Sequence, residues 1–157
     1  MYHHILVPLD GSATANRGLI EAIGLALDQK ACLHVLHVVD DSPVVVQMSS
    51  ATNHEQTERA RVRMSSQLEY GAALLGKAKR AAADAGVQAE TRLREIAQER
   101  IAEVIVEEAA KVGCDLIVMG THGRRGISRL MMGSDAELVV RISRVPVLLV
   151  RQEEPKT

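Results

Sequence analysis

Five short apolar runs punctuate the chain, and longer segments of helical period separate them. Four of the runs are near-continuous and rich in β-branched residues: 4–9 (HILVPL), 32–39 (CLHVLHVV), 115–120 (DLIVMG) and 145–150 (VPVLLV). Strands buried on both faces read this way, because neither face meets water. The fifth run differs. Over 87–94, Val87, Ala89, Thr91 and Leu93 alternate with Gln88, Glu90, Arg92 and Arg94, the period of a strand with one wet face, which places it at a sheet edge.

Between the runs, residues 13–28 carry Leu19, Ile20, Ile23, Leu25 and Leu27 on a helical stripe, with Ser12 as N-cap. Residues 54–85 begin polar and become alanine-rich, anchored by Leu68, Leu74 and Leu75 and stopped by Gly86. Segments 97–112 and 134–143 complete four helices, and Ser134 with Glu137 has the spacing of a capping box. The stretch 40–53, DDSPVVVQMSSATN, has no period and is expected to be a mobile loop near the functional site. The order βαβαβαβαβ predicts an α/β fold, a three-layer doubly wound parallel sheet with right-handed crossovers and helices on both faces.

A length of 157 residues suits one domain, 1–157, able to bury a core without disulfides or metal. The net charge of -1 gives no reason to expect capture by nucleic acid or an anionic membrane. With no Trp, no Phe and only Tyr2 and Tyr70, stacking platforms for nucleic acid are almost absent as well. Cys32 and Cys114 lie beside apolar runs and read as reduced, buried thiols. No apolar stretch approaches the ~18 residues of a membrane span, and the first residues lack a signal-peptide pattern, so a cytoplasmic location without membrane insertion is expected. His34 and His37 are three apart on one strand and face opposite ways, and the adjacent His3 and His4 point apart. No metal-ligand cluster is therefore expected.

In a doubly wound sheet, ligands bind beyond the carboxyl ends of the strands, where the strand order reverses. Asp10, Gly11 and Ser12 end the first strand, and Val39, Asp40 and Asp41 end the second. The strand 115–120 runs into MGTHGRRGISRLMMGSDAE (119–137). Gly120 and Gly123 would let backbone N–H groups crowd an anion, and Gly133 and Ser134 would present the free donors and positive dipole end of the last helix. This is a phosphate cradle of neither familiar kind, lacking both G-x-x-x-x-G-K-[ST] and a G-x-G-x-x-G after the first strand. The same residues also fit a plain glycine turn followed by a capped helix. Asp10 fits an Asx turn, and Arg124 and Arg125 fit a solvated loop face. His122, between two of the glycines, either touches a phosphate or faces water.

With these motifs in place, the chain resembles the universal stress protein family from about His3 to Arg151, and specifically its nucleotide-binding branch. The resemblance rests on ILVPLDGS, LHVVD, DLIVMGTHGR and VPVLLVR. It rests above all on G-x-x-G-x(9)-G-[ST], matched by Gly120, Gly123, Gly133 and Ser134. It implies a five-stranded sheet in the order 3-2-1-4-5, with adenine near Pro8 and the Val38/Val39 pair and Asp10 at the ribose hydroxyls. Met119 and Gly120 would line sugar and base, while Gly123, Gly133 and Ser134 would hold phosphates. The loop itself adds His122, Arg124 and Asp135 as candidate nucleotide-binding residues. The ligand it implies is ATP, ADP or AMP, with Mg2+ or Mn2+ carried in by the nucleotide. It also implies a homodimer through the last strand, with Val145, Val147 and Leu149 at the interface. Where many nucleotide-binding members follow the Gly-Ser with valine, this chain has Asp135. Its carboxylate competes with phosphate for the positive helix end, which weighs against a full triphosphate unless Arg124, Arg125 or Arg129 offsets it.

The reading that follows is a dimeric regulatory module of the stress response that binds an adenine nucleotide and has no assigned catalytic residue. The chain has no Walker lysine and no glutamate or glutamine evidently poised for water. Slow ATP hydrolysis, with Asp10 or Asp40 orienting metal or water, and a nucleotide-free dimeric scaffold are the alternatives.

Overall fold

The computed structural model describes residues 1–122 and 132–152. In chain order the elements are β1 (His4–Pro8), α1 (Ala13–Gln29), β2 (Cys32–Asp40), α2 (Ser42–Ser49) and α3 (His54–Asp84). They continue with β3 (Ala89–Ile96), α4 (Ile101–Lys111), β4 (Leu116–Gly120), α5 (Ser134–Ile142) and β5 (Val147–Val150). The strands form one sheet in the order β3-β2-β1-β4-β5, each neighbouring pair parallel. The alternating strand at 87–94 is indeed an edge, and the VPVLLV run ends the opposite edge.

Both faces are covered. On one, Ile5, Val7, Leu33, Val35, Leu116 and Val118 meet Ala15, Leu19, Ala22 and Ala26 of α1 and Leu75, Ala78 and Ala82 of α3. On the other, Leu6, Leu36, Ile117 and Met119 meet Ala102, Ile105 and Ala109 of α4 and Ala136 and Val139 of α5. In a chain without Phe or Trp, the small helical alanines let the helices settle close enough for branched strand residues to fill the space.

The stretch expected to be a loop contains a helix. Pro43 occupies its first turn, where a missing N–H is harmless and φ is already helical, and Val44 is completely buried as its anchor. Three consecutive valines have a strand-like appearance, which hid the helical spacing. Helix α4 starts at Ile101, later than the expected 97. The carboxylate of Glu99 accepts from the amides of Ala97 and Gln98, both at 3.2 Å, and holds that segment in a turn.

Asp41, the last residue before α2, is buried. Burial, reinforced by the carboxylates of Glu95 and Asp40, pushes its carboxyl above the ordinary value. A group raised on folding favours its protonated form, so this contribution is intact below pH about 4 and is lost as pH rises through the raised value. Asp41→Asn is therefore expected to gain stability on the wild type as pH rises from acid to neutral. Urea unfolding across that range would show parallel curves if Asp41 were indifferent.

Candidate functional site

Four segments converge beyond the carboxyl ends of β1 and β4, joined by a chain of hydrogen bonds. The Asp10 carboxylate accepts from the Ser12 amide at 2.9 Å, an Asx turn that aims the chain into α1. Ser12 is the N-cap of α1, its Oγ accepting from the Ala15 amide at 3.2 Å. From the first turn of α1, Thr14 donates its hydroxyl to the His122 carbonyl, and Ser12 Oγ lies 3.5 Å from the same oxygen. Thr121 Oγ1 lies 2.8 Å from His122 Nδ1, and the Thr121 carbonyl accepts from the Gly133 amide at 2.8 Å. The start of α5 is thereby tied to the end of β4.

That last bond moves the helix start. With Gly133 held extended (φ -65, ψ 150), it is Gly133 and not Ser134 that serves as N-cap, and its carbonyl accepts from the Glu137 amide at 3.0 Å. The expected capping box does not form, and no side chain among the described residues caps α5. Gly133 is half-buried, while Ser134 and Asp135 are exposed in the first turn. A helix N-terminus without a side-chain cap leaves amide donors and the positive dipole end for another acceptor. Nearby, Nε2 of His122 is buried with no hydrogen-bond partner among the described residues.

The glycines have different reasons to be glycine. Gly11 has φ +83, and a Cβ there would lie 1.9 Å from the Tyr70 hydroxyl. At Gly120 a Cβ would lie 2.8 Å from the Thr14 carbonyl carbon and 2.9 Å from the Ala15 nitrogen. This glycine permits the close approach of α1 to β4, a packing role that ligand spacing alone does not reveal.

Other expected site residues are placed less centrally. Met119 is 6% exposed, its side chain part of the core under α4 and α5. Pro8 is half-buried at the end of β1. Val39 is buried, whereas Val38 packs against the α4–α5 core, as alternation along β2 demands. Asp40 accepts from the Ser42 amide at 3.0 Å and from its hydroxyl at 2.5 Å, which fixes the entry to α2. Gly123 and Arg124, with Arg125 and Arg129, lie outside the described residues. Sequence reasoning missed Thr14, Thr121 and Tyr70, whose hydroxyl donates to the Asp10 carbonyl at 3.4 Å. As one of only two aromatic residues, Tyr70 was the most visible of the three.

At the β5 edge, Val145, Val147 and Leu149 are half-buried and pack against their own α4–α5 core, while Leu148 is 40% exposed on the other face. Among the described residues no helix is long and apolar enough to cross a membrane.

The universal stress protein family model matches residues 1–151. The universal stress protein YxiE of Bacillus subtilis is 36% identical over 151 residues, covering 96% of this chain and 100% of its own. A solved structure from the same family in Burkholderia pseudomallei is 32% identical and superposes with a TM-score of 0.76, covering 96% of this chain and 97% of that one. At 22% identity and a TM-score of 0.63, a universal stress protein of Archaeoglobus fulgidus in complex with dAMP shares the fold over 96% of this chain and 98% of its own. With the strand order 3-2-1-4-5 already in the structure and the match running almost end to end, the chain belongs to the universal stress protein family.

Proposed function

We propose that the chain binds an adenine nucleotide beyond the carboxyl ends of β1, β2 and β4, as a dimeric regulatory module in the cytoplasm. The observation that carries this reading is the start of α5, which has a glycine N-cap, no capping side chain among the described residues and a bond to the end of β4. Phosphate oxygens would accept from the amides of the first α5 turn and from Ser134, with Gly133 leaving room for them. Nε2 of His122, which has no hydrogen-bond partner among the described residues, would supply a further polar contact at the same end. Base and ribose would lie toward Pro8, Asp10 and the Val38/Val39 end of β2, with Met119 and Gly120 beneath. Gly123 and Arg124 complete the phosphate motif in sequence. A divalent cation, Mg2+ or Mn2+, would accompany the phosphates. The dAMP bound by the Archaeoglobus relative supports the ligand class. Asp135 in the first turn opposes added negative charge, which favours nucleotides with fewer phosphates.

Dimerisation is read from the β5 edge. Its outer backbone has no strand partner among the described residues, and antiparallel pairing with a second copy would satisfy both edges, bringing Val145, Val147 and Leu149 of the two copies near one another.

Gly133→Val tests the nucleotide site. At φ -65 and ψ 150 the backbone suits any L-residue, so the variant is expected to keep its fold, at the small cost in melting temperature of a β-branched residue at an N-cap. Calorimetry with ATP, ADP and AMP should show binding by the wild type and at least a tenfold loss in the variant. Unchanged affinity for all three nucleotides would remove the phosphates from the α5 N-terminus.

A further inference from the structure

The parallel pairing of β1 with β2 assembles a cluster at the pole opposite the candidate nucleotide site. His4 stands opposite Cys32, and Leu6 opposite His34, so the side chains of His4, Cys32 and His34 share one sheet face. Each offers one donor atom, and the three donors lie within 4.8 Å of one another. The imidazoles are already in contact, with His4 Nδ1 3.1 Å from His34 Nε2. Two nitrogens that bind one zinc ion in a tetrahedral site stand roughly 3.3 Å apart, which is close to this separation.

The surroundings suit a metal as well as the donors do. Glu90, paired with His34 across β2 and β3, places Oε2 3.6 Å from His34 Nδ1. This is a charge neighbour just beyond hydrogen-bond range; drawn a few tenths of an ångström closer, the carboxylate would hold the far nitrogen and leave Nε2 as the lone-pair donor, the arrangement that orients metal-binding histidines. Asp115 holds the base of the cluster by accepting from the backbone amides of His3 and His4 at 2.9 to 3.1 Å. The nearby cation, Arg92, is engaged by Glu108 at 3.4 Å. His34 is 9% exposed while His4 is open to solvent, so a cation has a route in and a partly desolvated seat.

We propose that His4, Cys32 and His34 form a binding site for a borderline-soft transition-metal ion such as Zn2+, with water completing its coordination. Two nitrogens and one sulfur select against Mg2+ and Ca2+, which require oxygen donors, so this ion is distinct from any cation that accompanies a nucleotide. The thiol of Cys32 releases its proton to solvent as the metal–sulfur bond forms, with no change of oxidation state. The site joins the first residues of β1 and β2 in a cross-strand clip and does not depend on nucleotide binding.

Co2+ is the probe, added to untagged full-length protein under a phosphine reductant. A thiolate-to-cobalt charge-transfer band and tetrahedral d–d absorption, saturating at one ion per chain and displaced by Zn2+, are expected. Cys32→Ser should abolish the charge-transfer band, and Glu90→Gln should weaken Co2+ binding by about tenfold. Cys114→Ser, which removes the other thiol, should leave the spectrum intact. Absence of the band in the wild type would overturn the site and leave the His4–His34 contact as a hydrogen bond between side chains. A band that survives Cys32→Ser and vanishes with Cys114→Ser would equally overturn the assignment.

Discussion

Replacing Gly120 with alanine is expected to lower the stability of the protein by about 1–3 kcal/mol, the range for a methyl group forced into a filled space. The added carbon would meet backbone, at 2.8 Å from the Thr14 carbonyl carbon and 2.9 Å from the Ala15 nitrogen. Backbone inside the first turn of a helix cannot swing aside like the end of a flexible side chain. Relief must come from lifting the whole N-terminus of α1 off β4, which would also pull Ser12 and Thr14 away from His122. Gly24→Ala provides the contrast within the same helix. Nothing lies within 4 Å of a Cβ there, and alanine should stabilise by about 0.5–1 kcal/mol through propensity alone. Urea unfolding of both variants separates the two cases, and equal effects would mean that α1 tolerates displacement at its site end.

Arg94→Ala is expected to be at least as damaging, through electrostatics and not through shape. Glu108 is 1% exposed, and its Oε1 pairs with Arg94 Nη1. Arg92 Nε and Lys111 Nζ stand 3.4 Å away on either side. Breaking a buried pair by removing one partner costs about 3–5 kcal/mol, and the two remaining cations should hold the loss to about 2–3 kcal/mol. The double variant Arg94→Ala with Glu108→Leu removes the buried charge altogether and should recover most of the loss. If the single Arg94→Ala variant unfolds at the wild-type urea concentration, the pair contributes nothing net.

The order of strands and helices was legible because each element carries its own period, and period is a property of consecutive residues. What escaped notice came from pairs of elements. Taken strand by strand, His4 and His34 have no reason to meet, yet the register of β1 on β2 sets their rings together. Arg94 was expected on a wet face. A glutamate on the inward side of α4 draws it to 25% side-chain exposure, and nothing within VIVEEAAK tells Glu108 apart from Glu107. The N-cap of α5 was placed one residue late because glycine has no side chain to advertise the role, whereas Ser134 does. In the candidate site, Asp10, Gly120, Gly133 and Ser134 were visible from spacing, while Thr14 and Thr121 became visible only with the hydrogen bonds that join α1 to β4.

The meeting of Tyr70 with the Asp10 turn has an optical consequence. In a protein without tryptophan, near-ultraviolet emission comes from tyrosine alone, and there are two. Tyr2 precedes β1 at the amino pole, its amide donating to Gln29 at 2.5 Å, while Tyr70 reaches from α3 across Gly11 to the Asp10 carbonyl. Phenol emission responds to whether the hydroxyl is engaged by a carbonyl or by water. The molecule therefore carries a native fluorophore at one pole and an internal reference at the other, and any rearrangement of the turn that leads into α1 is registered as light without a label.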